Sequence, residues 1–214
     1  MRVAVLYTTS IICGFCLMAM EILASRLVQP VFGSSVDVWA AIISVFILSL
    51  SIGYVIGGRL ADRTRTNLAL GWMVLVSGMF FVLMTIYGLR FNEALPESIQ
   101  TARYGSLLSS LVLFLPPSLL LGCVSPMLVK LVFVSAERVG RTTGTLYAVG
   151  SIGNVVGILV ANYIFLPFFP LNPTFITLGA VLMALGLAHL FFRMESTPVE
   201  AYVSVKTTVV EVTL

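Results

Sequence analysis

Ser51-Ile52-Gly53-Tyr54-Val55-Ile56-Gly57 returns as Ser151-Ile152-Gly153-Asn154-Val155-Val156-Gly157, with five of seven positions shared at an offset of 100. Both copies lie inside long apolar stretches, and both contain GxxxG, the spacing at which small residues let membrane helices approach closely. The first copy lies in the second apolar span and the second in the fifth, three spans further on. An odd number of crossings reverses direction through the bilayer, so the pattern predicts an inverted-topology repeat of three helices plus three. The match of Arg26-Leu27-Val28 with Lys130-Leu131-Val132 points the same way more weakly.

The surrounding composition sets the medium. The chain has 214 residues, of which 59 % are hydrophobic and 10 % charged, and its mean hydropathy is +1.07. A soluble domain carries about 25 % charged residues, so a self-contained soluble catalyst is excluded and an all-α integral membrane protein is expected. Apolar stretches run from Val3 to Ala24, Val38 to Leu60, Leu68 to Leu89, Tyr104 to Val134, Thr143 to Phe168 and Phe175 to Phe192. Each suffices for one crossing of about 20 residues. The first is too long for a secretory signal, and a Glu follows where a small-residue cleavage site would be needed. The fourth contains Pro116, Pro117 and Pro126, each removing a helix hydrogen bond, so a kinked or broken span is expected there.

Basic residues orient the chain. An inside N-terminus gathers Arg2, Arg59, Arg63, Arg65, Lys130 and Arg138 on the cytoplasmic side, with Arg141, Arg193 and Lys206, and leaves Arg26, Arg90 and Arg103 outside. Both termini are therefore expected inside, and the expected location is a prokaryotic cytoplasmic (inner) membrane. Residues 1–193 form the membrane domain. Residues 194–214 form a cytoplasmic tail rich in β-branched residues, which reads as one or two strands that could add to a partner's sheet edge. The longest outer loop, Arg90 to Arg103, is expected to hold one short helix, whereas the uncharged Pro167-Phe-Phe-Pro-Leu-Asn-Pro173 must turn tightly.

Two resemblances enter at this point. Gly58-Arg59-Leu60-Ala61-Asp62-Arg63 resembles the first half of the loop signature after the second helix of major facilitator transporters; Thr64-Arg65-Thr66-Asn67 then departs from it. Three helices plus three inverted ones would make half of such a bundle. A closer likeness begins with Glu21-Ile-Leu-Ala-Ser-Arg26-Leu-Val-Gln-Pro30-Val-Phe-Gly33-Ser34-Ser35 and Val38-Trp39. It continues through Gly53-Tyr54 and Gly57-Gly58-Arg59-Leu60-Ala61-Asp62 to Gly144-Thr-Leu-Tyr147-Ala, Gly153 and Gly157. This series, in order over about 150 residues, resembles the transmembrane region of membrane-bound spermidine-synthase-like proteins. In many of those the region is fused to a soluble aminopropyltransferase domain. No Gly-rich nucleotide loop and no acidic pair of that domain is recognisable here, so the resemblance implies a membrane module that is not an enzyme by itself.

Ionisable groups inside a bilayer are functional candidates. Glu21 is the foremost, able to bind a cation or exchange a proton. Arg26 lies five residues on, about 140° around an ideal helix, and is expected to pair across helices or reach outward. Tyr54 and Asn154, at equivalent positions of the two copies, would approach the midplane from opposite sides. With Ser151 they complete a candidate substrate or proton path of Glu21, Arg26, Tyr54, Ser151 and Asn154; packing glue is the competing reading. Asn162 is a further polar group. Gly53, Gly57, Gly153 and Gly157 are helix-packing candidates. Arg59, Asp62, Arg63 and Arg141 form a cytoplasmic charge network, in which Asp62 is expected to pair with Arg63 or Arg141. Ser34, Ser35 or Asp37 is expected to cap the second helix.

Cys13, Cys16, Cys123 and His189 do not form a metal-ligand pattern, so no metal and no cofactor is expected; His189 reads as a hydrogen-bonded helix residue. Three excess positive charges do not suggest nucleic acid. The expected partners are membrane lipid and either a second copy or a protein docked through the tail. Two functions follow. One is a half-size transport module, dimeric, moving a polyamine or organic cation. The other is an anchor or substrate-delivery subunit for a soluble spermidine-synthase-like enzyme or another complex.

Overall fold

The computed structural model describes residues 2–64, 66–101, 104–132 and 139–192. These form α1 (Arg2–Phe32), α2 (Val36–Arg63), α3 (Leu68–Ala94), the short α4 (Glu97–Gln100), α5 (Gly105–Val132), α6 (Val139–Val160), α7 (Leu166–Phe168) and α8 (Leu171–Phe191). A π-helical segment, Ala161–Phe165, joins α6 to α7. Six helical stretches among the described residues are long and apolar enough to cross a membrane, α6 through α7 counting as one. The strand-like tail expected at 194–214 lies outside the described residues.

Sequence boundaries shift for local reasons. The first span extends eight residues past Ala24 to Phe32, because Pro30 sits in the final turn and costs the helix one hydrogen bond. Ser35 caps α2, its side chain accepting from Val38 N at 3.3 Å. The fourth span is not broken: α5 runs uninterrupted through Pro116, Pro117 and Pro126. The helix continues while packed on two sides, against α2 and α3. Ser77 of α3 donates to the Pro117 carbonyl at 3.2 Å, and Pro126 frees the carbonyl of Gly122, a residue pressed against Leu50 and Gly53 of α2. The fifth span passes through the π segment, where Leu166 N bonds Ala161 O, and ends with α7 at Phe168. Pro170 cannot donate to Leu166 O, and the Arg26 guanidinium donates to that orphaned carbonyl instead.

The helices pack as three principal pairs: α1 with α6, α2 with α5 and α3 with α8. Lipid is as apolar as leucine, so association in a membrane depends on close van der Waals fit. Glycines provide that fit. Gly53 and Gly57 of α2 lie against Leu119 and Cys123 of α5, while Gly153 and Gly157 of α6 lie against Ile11 and Phe15 of α1. Gly71 and Gly78 of α3 meet Gly186 and Gly179 of α8 in antiparallel order. Aromatic contacts reinforce two pairs, Phe46 with Phe114 at 5.9 Å and Phe81 with Phe175 at 6.1 Å between ring centroids.

A buried polar knot ties one end of the bundle. Asn67, just before α3, donates from Nδ2 to the carbonyls of His189 and Phe192 at 2.8 and 2.9 Å, closing the C-terminus of α8, and lies 3.1 Å from His189 Nδ1. The two amide hydrogens go to the two carbonyls, and the Thr9 hydroxyl gives its one hydrogen to Val5 O, so the neutral ring carries its proton on Nε2. That nitrogen donates to Thr9 Oγ1 of α1 at 2.8 Å, whose hydroxyl donates to Val5 O at 2.9 Å. His189 is thus a hydrogen-bonded helix residue linking three helices.

Candidate functional site

A cleft of about 150 Å³ opens between α1, α2, α5 and α6. From α2 comes Tyr54; from α6 come Tyr147, Ser151 and Asn154; from α1 comes Ser10, and from α5 Ser125. Tyr147, Ser151 and Asn154 recur at helical spacing and so share one face of α6. Both tyrosines are about half exposed, at 47 % and 49 %, so their rings form the rim rather than the floor.

Glycines make room for the polar groups. A Cβ at Gly14 would lie 2.5 Å from Asn154 Oδ1 and 2.8 Å from Gly150 O, and one at Gly150 would lie 2.7 Å from Ser10 Oγ. Larger residues at either position would push α1 and α6 apart or displace the Asn154 amide. Ser10 donates weakly, at 3.4 Å, to Leu146 O. The side chains of Tyr54, Tyr147, Ser151 and Asn154 have no hydrogen-bond partner among the described residues. Their donors and acceptors are therefore available to water or a solute.

Of the five residues expected on a path, Tyr54, Ser151 and Asn154 come together in this cleft. Glu21 lies beyond it: Ser10, Gly14, Leu17 and Glu21 recur on one face of α1, and Glu21 sits one turn past the cleft wall. It is half-buried and without a hydrogen-bond or ion-pair partner among the described residues. Eleven residues, about 16 Å of helix, separate it from the end of α1. Arg26 does not join the cleft. It is exposed, bound to Leu166 O, and lines a different cavity at the end of the bundle. Asn162 is exposed on the π segment.

The charge network at the other end of the bundle differs from expectation. Asp62 has its ion pair with Lys130 at 3.9 Å, because α2 packs along α5 and brings their ends together. Arg59, Arg63 and Arg141 are exposed, with no ion pair between them and Asp62 among the described residues. Cys13, Cys16 and Cys123 are buried and free. No group of three His, Cys, Asp or Glu side chains that could hold a metal occurs among the described residues.

Sequence reasoning missed Ser10, Gly14, Tyr147 and Gly150 as cleft residues. Spacing could have found Tyr147, four residues before Ser151, and the α1 series ending at Glu21; the Gly14–Asn154 contact had no local signal. No protein family, curated protein or solved structure matches the chain.

Proposed function

We propose that the chain is a half-size, major-facilitator-like transport module, built as three helices plus three inverted ones, that works as a pair of copies to move a small organic cation such as a polyamine. The observation that carries this reading is the cleft: four side chains whose polar atoms have no hydrogen-bond partner among the described residues converge from two helices, with a carboxylate likewise without a partner among them one turn along a third. Aromatic faces attract ammonium groups, amide and hydroxyl groups complete hydrogen bonds, and a carboxylate near the middle of a span can balance a cation or exchange a proton.

Glycine register supports the repeat. Ile11 and Leu119, Phe15 and Cys123, Gly14 and Gly122, Gly71 and Gly179, and Gly78 and Gly186 are each 108 residues apart, while Gly53 and Gly153 are 100 apart. Exchanging the first half for the second by these offsets turns the α2–α5 contact into the α6–α1 contact and returns the α3–α8 contact to itself. On this register Arg26 and Lys130, 104 apart, are displaced by one turn and are not counterparts.

Pairing of copies is supported by exposure around the cleft. Only 17 % of the most apolar window of the fifth span is buried, against 39–50 % for the other five. Ile152, Val155 and Leu159 of α6 and Ile47, Val55 and Ile56 of α2 are exposed. A cleft of this size holds part of a polyamine, and a second cleft facing it would enclose the rest.

Uptake of labelled spermidine into proteoliposomes tests the reading. Uptake should be abolished by Glu21→Gln and reduced by Asn154→Ala. Normal uptake in Glu21→Gln would remove the carboxylate from the mechanism. Absence of uptake for every labelled organic cation would sink the transport reading and favour the anchoring role expected of the tail, for which deletion of 197–214 should release a co-purifying soluble protein.

A further inference from the structure

A second and larger cavity, of about 690 Å³, lies where the ends of α1 and α3 meet the start of α8. Gly88 of α3 packs on the Leu27 side chain, and Asn92 Nδ2 donates to Leu27 O at 3.3 Å. This contact sets Arg26 and Arg90 on the walls of one cavity. They lie six and four residues before the ends of α1 and α3, about 9 and 6 Å along the axis. That is the depth at which arginines of a spanning helix reach the membrane–water interface.

We propose that this cavity binds a phosphate oxyanion, held between the Arg26 and Arg90 guanidiniums, and that the phosphate belongs to an amphiphile whose apolar part lies against Leu27, Met84, Ile86 and Leu89. Neither arginine has an ion pair among the described residues, and no acidic side chain lines the cavity. The acidic groups on the same elements are Glu21, on another face of α1, and Glu93, one turn beyond Arg90 and exposed. Arg26 gives one N–H to Leu166 O, leaving four of its five donors; Arg90 keeps all five. Planar guanidiniums match phosphate oxygens in paired hydrogen bonds. The start of α8 adds a favourable field: Leu171 and Asn172 line the cavity, and the first turn has no side-chain cap. A free phosphate would occupy a small part of 690 Å³ and leave the apolar wall unused. A phospholipid uses both.

The test uses the purified full chain in mild detergent, titrated with phosphatidylglycerol, with uncharged diacylglycerol and with inorganic phosphate. Bound lipid is counted by native mass spectrometry, and stabilisation by thermal unfolding. One retained phosphatidylglycerol per chain is expected, weakened about fivefold by Arg90→Gln and further by Arg26→Gln with Arg90→Gln. Equal stabilisation by inorganic phosphate, lost in the same variants, would keep the oxyanion site and overturn the amphiphile. Unchanged phosphatidylglycerol retention in Arg90→Gln, or equal retention of diacylglycerol, would overturn the site itself. Among the described residues Arg90 has no ion pair to lose, so its single variant decides the matter even if the double variant does not fold.

Discussion

Gly57 and Gly58 are neighbours on α2, yet alanine at each should act in opposite directions. A Cβ at Gly57 would lie 2.5 Å from Cys123 Cα, 2.6 Å from Cys123 O and 2.9 Å from Cys123 C, whereas one at Gly58 meets nothing within 4 Å. Carbon atoms rest at about 3.5–4.0 Å, so Gly57→Ala must separate α2 from α5 by about 1 Å. All three clashing atoms are backbone, and no rotamer change relieves them. Overpacking of this kind costs about 1–3 kcal/mol. At about 2–4 °C per kcal/mol for a chain of this size, the unfolding midpoint should fall by about 2–12 °C. Gly58→Ala meets no obstacle and replaces a poor helix former, which raises stability by up to about 1 kcal/mol. The three buried free cysteines make a thiol-reactive dye a suitable reporter of unfolding, and size-exclusion elution checks that each variant remains folded beforehand. Equal midpoints for the two variants would refute the close α2–α5 register. Gly157→Ala, whose Cβ would lie 2.9 Å from Phe15 Cα, should behave like Gly57→Ala.

Asn67→Ala should lower stability by about 1–3 kcal/mol in the same unfolding assay, because it leaves the His189 and Phe192 carbonyls without their donor. His189→Ala combined with Asn67→Ala should cost less than the two single changes added, since the residues share one network; simple additivity would count against the knot. Ser110→Ala should be neutral or stabilising, because Ser110 Oγ is buried without a hydrogen-bond partner among the described residues, and a loss above about 1 kcal/mol would mean that the hydroxyl is satisfied in the membrane. Asp62→Asn should change stability by no more than about 0.5 kcal/mol, as its pair with Lys130 is solvent-exposed at a helix end.

How much could be read from the chain itself varies with how local the cause is. The six spans follow from apolar composition over windows of about 20 residues. So does their separation by charged or proline-rich breaks, and each span became a helix close to its expected place. The glycines of the two similar heptapeptides also proved to be contact points, because GxxxG puts both residues on one helix face. Pro116, Pro117 and Pro126 misled for a corresponding reason. Their effect on the isolated helix is local and unfavourable, whereas α5 continues through them while packed against α2 and α3.

The candidate cleft shows the same division. Tyr54, Ser151 and Asn154 stood out as polar residues in apolar spans, but Ser10, Gly14 and Gly150 could not be chosen before α1 was known to lie on α6. Arg26 and Glu21 are close in sequence and far apart in role, since 140° of helix rotation sends one to the end cavity and the other to the cleft face. Asp62 met Lys130 rather than Arg63 or Arg141 because helix pairing, not sequence distance, sets which ends adjoin.

Sequence alone was thus sufficient for the medium, the number of spans and the glycine faces, since hydropathy and helical period are properties of neighbouring residues. Tertiary structure decided which helices pair, in which register, which polar groups remain unclaimed, and where Arg26 and Arg90 converge. In a bilayer almost every span is uniformly apolar, so hydrophobicity does not distinguish one partner from another. Helix pairing is chosen by ångström-scale fit between backbones, and that fit exists only once two helices are in contact.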